Sequence, residues 1–504
     1  MAATFNLVRN SRVWFTTNVD PTSGAIYTSS ATTTTNTMEL TVLDGFSFSQ
    51  GTQQSTIQLS EAGNTPVRGQ RSFNTSLDPV DFSFSTYIRP AGSTTTVGSV
   101  EEEILWNALM CVDPLDATGT PIIVSTITRT ATNVATATVT CTAVNLIPTF
   151  GSANAGVGGI ANISGMAATV TGVQQWSGPV KLLSVTTQTG SGSTSVTVFV
   201  VEYLSAPVGV AATAAGVIGT AKLTKCAWNT QTSSVTTPAY QQLTSAFSNK
   251  NQLQKFGMYF LVDNAVYSID NCVLDSATVD FGLDGIATVA WTGKGTSLNY
   301  ISGATITSPN PAVFGGTGIG PGTASTRVLN TASKYITNKL STMTLISKIM
   351  GADTTAGTAY TVPLTGGSIT IANNVNYVIP ANLGVVNKPI GYFTGNRSIS
   401  GSVTAYLKVG TGNSADLLTA VLGAGAETKY KVQIEIGGSS NALHVDMLMN
   451  GCVLQVPTVE TGDVMSTTIN FTAQGYEPGA QATVATNAYD IGQTNDLSVY
   501  YYPA

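Results

Sequence analysis

Charge is what this sequence has least of. Lys, Arg, Asp and Glu make up 10% of its 504 residues, against about a quarter in ordinary soluble domains. There is one histidine, His444, in the alternating stretch ALHVDMLM, where a surface or interface position is expected. A Ser-His-Asp triad would need a G-x-S-x-G elbow, and none occurs. Five cysteines (Cys111, Cys141, Cys226, Cys272, Cys452) show no C-x-x-C spacing, which excludes the usual zinc sites and a disulfide framework. No catalytic residue, metal ligand or cofactor is therefore assigned. No apolar run is long enough to span a membrane. The segment MAATFNLVRNSRVWF lacks the apolar core of a secretory signal, so synthesis in a reducing compartment is expected.

Two weak motifs fail on context. Gly293-Lys294-Gly295 resembles the end of a phosphate loop, but glycine follows the lysine where Ser or Thr is required. The carboxylate pairs Asp280/Asp284 and Glu460/Asp463 have the residue types that sugar cleavage uses. They recur at one turn of a repeat, however, which favours a structural reading over glycosidase chemistry.

What is abundant is Thr, Ser, Ala, Gly and Val, a composition suited to β-sheet, and an internal duplication. Residues 272–295 (CVLDSATVDFGLDGIATVAWTGKG) align without a gap with 452–475 (CVLQVPTVETGDVMSTTINFTAQG), 180 positions later. Upstream, QRSFNTSLDPVDFSFSTYI (70–88) aligns with GYFTGNRSISGSVTAYL ending at Leu407, and GFSFSQG with GGSITIA, both at an offset of about 320. The two offsets differ by about 140 residues, the size of an insertion in the first copy. The chain then divides into lobe A (1–112 and 253–298), an inserted β-rich domain (113–252), a Gly/Pro-rich linker (299–333), lobe B (334–476) and a C-terminal arm (477–504) reaching to neighbours. Residues 113–250 carry five basic against three acidic side chains, net +2, so the rest of a chain of net charge −6 carries −8.

Local periodicity is that of strands. In Asp81–Ile88, Phe82, Phe84 and Thr86 alternate with Ser83, Ser85 and Tyr87; in the second copy Gly401, Val403 and Ala405 alternate with Ser402, Thr404 and Tyr406. The repeated hairpin turns Val289, Trp291, Ile469 and Phe471 inward and Thr288, Thr292, Thr468 and Thr472 outward. Each lobe has one helical stretch, EEEILWNALM and SADLLTAVL, with expected capping pairs Ser99/Glu102 and Asn413/Asp416. Cys272 and Cys452 fall at equivalent places and read as small buried residues. The insertion reads as a small β-sandwich or set of hairpins. The fold class is all-β with minor α: two homologous lobes, each with a flanking helix, plus the insertion.

Several of these stretches resemble the tail tube proteins of long, flexible-tailed bacteriophages, in the form that fuses two tube domains. They are SEAGNTPVRGQRSFNTSLDPVDFSFSTYIRP with the helix after it, NLVRNSRVWFTT, PLTGGSITIANNVNYVIP, PIGYFTGNRSISGSVTAYL and VPTVETGDVMSTTINFTA. The insertion exceeds the connection expected of that family, and no separate immunoglobulin-like domain follows lobe B. The resemblance implies β-sandwich or barrel lobes, and homotrimeric, pseudo-hexameric rings stacked into a tube. It also implies a lumen that passes double-stranded DNA, and tape measure, tail-terminator and baseplate or tail-tip proteins as partners. The site would be the virion tail, assembled in the host cytoplasm without a membrane. In such a ring the hydroxyl faces line the channel, so Ser83, Ser85, Tyr87, Ser402, Thr404 and Tyr406, with Asp280 and Glu460, are the expected lumen residues; the insertion would decorate the exterior. The other reading is a virion or cell-surface adhesin whose Thr-rich domains bind carbohydrate.

Overall fold

A computed structural model describes residue 19, residues 24–26 and most of 11–16, 37–57, 71–90, 100–110, 253–301, 335–349, 359–473 and 497–502, together with the strands between 122 and 244. The fold is all-β with minor α. In chain order the first strands are β1 (Ser11–Thr16), β2 (Thr37–Leu40), β3 (Ser47–Ile57) and β4 (Arg71–Tyr87), followed by helix α1 (Glu103–Met110). Then come β5 (Ile122–Thr128), β6 (Thr136–Cys141), β7 (Ile160–Ser164), β8 (Gly178–Thr189), β9 (Ser195–Tyr203), β10 (Thr213–Ala215), β11 (Lys222–Lys225), β12 (Trp228–Gln231) and β13 (Tyr240–Thr244). Next come β14 (Phe256–Val262), β15 (Ala265–Gly282), β16 (Thr288–Gly295) and β17 (Ser297–Ile301). The second copy comprises β18 (Thr342–Ile349), β19 (Ala359–Ala372), β20 (Val375–Val378), β21 (Gly391–Thr394) and β22 (Ser398–Tyr406), then α2 (Ser414–Gly423). It ends with β23 (Thr428–Ile436), β24 (His444–Leu454), β25 (Thr458–Glu460), β26 (Ser466–Ala473) and β27 (Ser498–Tyr502).

Each copy is a flattened barrel. In the second, β19, β22, β26, β24, β23 and β18 pair in a closed antiparallel circuit. In the first, β2, β1, β14, β15, β16, β4 and β3 pair in the corresponding order, and the link from β2 to β3 bonds to β4 through the Leu43 N–H and the Ser85 carbonyl. Closure removes the unpaired backbone edges that a six-stranded open sheet would expose. Alternation places Val289, Trp291, Ile469 and Phe471 inside a continuous apolar core with Phe82, Phe256 and Val403, as the period-2 pattern predicts.

Equivalent strands carry equivalent irregularities. Cys272 pairs Phe256 and Cys452 pairs Tyr430, and in both lobes the register slips by one immediately beyond. A bulge bends its strand locally, and at both bulges the cysteine is free and buried; burial pushes both thiols up from their ordinary range.

The gapless alignment of the hairpin, however, needs correction. Asp280 pairs Thr288, whereas Glu460 pairs Ser466, so the turn in lobe B is two residues shorter. Thr288 is thus equivalent to Ser466 rather than to Thr468. The packing agrees: Phe82 faces Gly293, and at the equivalent place Gly401 faces Phe471. The ring has moved to the other strand while the pair's volume is unchanged, the kind of exchange a close-packed core tolerates. A Cβ on Gly401 would lie 2.1 Å from the Phe471 ring. Gly401→Ala should therefore lower stability by about 1–3 kcal/mol, and adding Phe471→Leu should return most of it. Equal denaturation midpoints for wild type and Gly401→Ala would show that the ring is free to move aside.

The insertion, expected as a small β-sandwich or a set of hairpins, is a closed antiparallel barrel. β5, β6, β9, β8, β7 and β11 close on one another, with β10 added beside β5. β12 and β13 lie within the expected insertion, but they extend the body: β13 pairs β27, which pairs β24. The end of the expected arm is accordingly a strand of the chain's own sheet, while 477–496 lie outside the described residues.

Candidate inner-wall surface

The two barrels meet through backbone hydrogen bonds. The C-terminal half of β15 pairs β19 antiparallel from Ser276↔Ala372 to Gly282↔Gly366. This fuses the wall strands of both lobes into one sheet, ordered β3, β4, β16, β15, β19, β22, β26, β25. Its apolar side is the core. Its other side carries the hydroxyl residues, and cross-strand pairing sets them in rows.

One row runs Tyr87, Thr288, Asp280, Ser368, Ser402, Asn470; the next runs Ser85, Ala290, Thr278, Thr370, Ser400, Thr472. Neighbouring hydroxyls bond to one another: Ser47 with Ser83 at 2.8 Å, Ser276 with Thr292 at 2.7 Å and Thr278 with Thr370 at 3.2 Å. Thr404 accepts from the Thr365 hydroxyl at 3.0 Å and donates to the Gly366 carbonyl at 3.2 Å. Asp280, Ser402, Tyr406 and Glu460 are exposed, whereas Ser83, Ser85, Tyr87 and Thr404 are half-buried among their neighbours. Tyr87 is further covered edge-on by Tyr335, ring centroids 5.4 Å apart. All eight expected residues therefore lie on one face of one sheet. The carboxylates occupy matching places: Asp280–Thr288–Tyr87 in lobe A corresponds to Glu460–Ser466–Tyr406 in lobe B.

Sequence reasoning missed Ser276, Thr278, Ser368 and Thr370, the rows that bridge the lobes. The alternation in GGSITIA and DSATVD carried the signal, but nothing local says that those two strands pair. It also missed the clasp around Lys294, whose Nζ donates to the Val375 carbonyl at 2.9 Å and lies 3.8 Å from Asp275. Tyr377 Oη donates to the carbonyls of Asn271 and Lys294, at 2.6 and 3.0 Å. The glycine-flanked lysine thus holds lobe B to lobe A.

Three local expectations change. His444 is not a surface residue: it is 3% exposed, stacked on Tyr502 with ring centroids 4.2 Å apart, and its Nε2 lies 3.6 Å from Asp446 Oδ1. Helix α2 starts directly after Asn413, whose carbonyl accepts the Leu417 N–H, but Asp416 accepts the Gly412 N–H at 2.9 Å rather than that of Asn413. Glu102 accepts the Arg89 N–H at 3.1 Å, tying the helix start to the strand before it; Ser99, like Asp284 and Asp463, lies outside the described residues. Among the described residues no cluster of His, Cys, Asp and Glu has the makings of a metal site, and no helix is long and apolar enough to cross a membrane.

Asp446 gives the fold a pH dependence. Burial pushes its carboxyl up to about 7, nearby Glu435 adds to the rise, and a hydrogen bond from Gln433 opposes it. The folded chain holds this proton where the unfolded chain, near 4, has released it. The resulting stability is complete below about pH 4 and lost as pH rises through about 7. Asp446→Asn, which keeps the shape without ionising, should flatten that fall, by at most on the order of 4 kcal/mol. Parallel stability profiles for variant and wild type from pH 4.5 to 8 would show that Asp446 is not responsible.

Sequence comparison adds a likeness to one class, the phage tail tube proteins. The chain is similar to tail tube protein pb6 of Escherichia phage T5, 25% identical over 443 residues, 87% of this chain and 68% of the relative. No protein-family model matches. Among solved structures, a chain of the anti-feeding prophage baseplate aligns with 26% of this chain and 86% of its own length, at 10% identity and a TM-score of 0.20, a likeness that carries no argument.

Proposed function

We propose that three copies close into a ring of six barrels, that rings stack into the phage tail tube, and that the hydroxyl face lines a lumen through which double-stranded DNA passes to the host. In this reading the protein is structural, without catalytic activity. It is assembled in the host cytoplasm into virion tails together with tape measure, tail-terminator and baseplate or tail-tip proteins. The β15–β19 junction carries the proposal, because it already joins two lobes into one sheet and leaves matching strands at either end.

Its register supports a closed wall. Tyr87 lies in one row with Ser402, but its equivalent is Tyr406, four residues further along, and four strand-to-strand steps separate β4 from β22. The stagger is one residue per strand. Closed barrels with that ratio, eight strands with a shear of eight, tilt by about 36°. Three chains of eight wall strands each, about 4.8 Å apart and tilted about 36°, would close at roughly 45 Å between opposite backbones. That leaves room for a duplex between side chains. Two chains would give roughly 30 Å and four roughly 60 Å by the same geometry.

The wall chemistry suits passage. Hydroxyls bonded to one another offer phosphate little, and Asp280 and Glu460 repel it. The inserted barrel would stand outside the wall, since placing it inside would obstruct the channel. Cryo-electron microscopy of the purified, assembled protein is the test. Tubes with a hollow axis of about the three-chain diameter and extra density outside the wall are expected. Compact monomers at high concentration, or a solid axis, would reject the reading and favour a carbohydrate-binding virion protein.

A further inference from the structure

The inserted barrel branches from lobe A but is fastened to lobe B. Its last strand, β11, ends at Lys225, and β12 begins at Trp228. Three chain steps span at most about 10 Å, so the β12–β13 hairpin sets where this end of the barrel stands. Among the described residues that hairpin pairs only with β27, from Gln241↔Tyr501 to Thr244↔Ser498. β27 in turn pairs β24, from His444↔Tyr502 to Leu448↔Ser498. One five-residue strand therefore carries the sheet connection between the base of the barrel and lobe B.

The two faces of β27 are unlike. Val499 and Tyr501 enter the apolar core, whereas Tyr500 and Tyr502 stand opposite Asp446 and His444 on the other face. There Thr342, Glu435, Asp446 and Tyr500 form one cross-strand row. Gln433 Nε2 donates to both carboxyls, at 3.3 Å to Glu435 and 3.1 Å to Asp446, and the Thr342 hydroxyl donates to Glu435 at 2.9 Å. Asp446 Oδ1 is buried without a hydrogen bond, and His444 Nε2, on the ring that stacks with Tyr502, lies 3.6 Å from it. The other titratable groups on this face, among the described residues, are Lys431, two positions beyond Gln433 on β23, and the two tyrosines of β27. With a proton on Asp446 the row carries one carboxylate, which has two donors. Without it, two carboxylates stand directly opposite each other, and Asp446 has a single donor. Burial and the like charge both disfavour that state. Lifting β27 relieves it, because water then reaches Asp446.

We infer that β27 is a proton-controlled mount for the inserted barrel: while the Asp446 row holds its proton, β27 grips β24, and when the row loses it, β27 opens more readily and takes β13 and the base of the barrel with it. The pH dependence derived above for the whole fold is thereby assigned to one seam. Val499 and Tyr501 keep the strand seated in the core, so the change is a shift in a local opening equilibrium and not a release. Every contact involved lies within one chain, so the inference does not depend on the ring reading. In that reading it leaves the barrel on the tube exterior held more loosely in alkaline than in acidic solution.

Amide hydrogen exchange of the full chain at about pH 5.5 and about pH 8.5, corrected for the intrinsic rate of exchange, tests this. Residues 498–502 and 240–244 should exchange as one set, faster than β19 and β22 of the same lobe. Their opening should rise by on the order of tenfold at the higher pH, since Asp446 keeps its proton up to about pH 7. Strands β5, β6 and β9 of the inserted barrel, whose own opening leaves Asp446 covered, should not change. Asp446→Asn should hold both segments at their acid-side protection at either pH. Glu435→Gln, which removes the neighbouring charge, should shrink the difference, and it serves as the test if Asp446→Asn fails to fold. Equal opening of 498–502 at the two pH values, or a rise that survives in the variants, would overturn the inference. So would a rise shared by the barrel strands, or exchange of the two segments at the rate of β19 and β22, which would make Asp446 a term in global unfolding only. Opening of 498–502 without 240–244 would show that β27 does not mount the barrel.

Discussion

Replacing Trp106 by alanine is expected to be the most destabilising single change in the body of the protein. Every residue from Ile104 to Met110 is buried, and Trp106 is at the centre of that helix. Its ring meets Trp291 edge-on, centroids 4.9 Å apart, and its Nε1 donates to Tyr501 Oη at 2.7 Å. One side chain thus joins the helix of lobe A to its own wall and to the last strand of the sheet of lobe B. Emptying such a site costs about 3–5 kcal/mol, and leaving the Tyr501 hydroxyl without its donor costs about 1–3 more. Trp106→Phe keeps most of the packing and loses the donor, so it should fall between. The end of α1 reinforces the joint, since Asn373 donates to the Leu109 carbonyl and Arg397 to the Met110 carbonyl, supplying the last turn with the donors it lacks. Denaturant unfolding gives the size, and a midpoint shift worth under about 1 kcal/mol for Trp106→Ala would mean the core refills around the loss.

The largest functional effect is expected from Ser85→Lys combined with Thr404→Lys. These positions are equivalent, so three chains would carry six lysines around each ring, and every stacked ring repeats them. Neither side chain enters the apolar core, and assembly should proceed. DNA moving along the channel would then meet cations throughout. The Debye length is about 30 Å at 0.01 M salt and about 10 Å at 0.1 M, against a wall about 20 Å from the axis by the strand geometry. Ejection should therefore be slowed strongly at low salt and approach the wild-type rate as salt rises, since phosphate contacts weaken steeply with ionic strength. Kinetics that match wild type at every salt concentration would show that these strands do not face the passing DNA.

Much of this was legible in the sequence because strand periodicity is local. The alternation of Phe82 and Phe84 with Ser83 and Ser85 depends only on the two-residue repeat of a strand, and burial follows it. The paired cysteines were likewise readable as buried, because both copies keep a small residue at the same place. The repeat itself located the carboxylates at a turn. It misjudged the turn's length, because deleting two residues from a hairpin preserves inward and outward parity and so leaves no mark in an alternating pattern. His444 was misread for a related reason. Its strand alternates, but the partner covering it is Tyr502, reached only after a long stretch of chain.

The sequence by itself determined the class of fold, the duplication and which face of each wall strand is polar, since all of these follow from composition and from spacings of a few residues or a repeat. Only the tertiary structure decided that β15 and β19 join the two polar faces into one, that β13 and β27 bind the region after the inserted barrel to lobe B, and that Trp106 and Lys294 lock the lobes together. Those contacts lie between residues scores to hundreds of positions apart. They form between backbone edges and side-chain tips brought together by folding, and backbone edges are alike in every strand, so no local pattern distinguishes the partner.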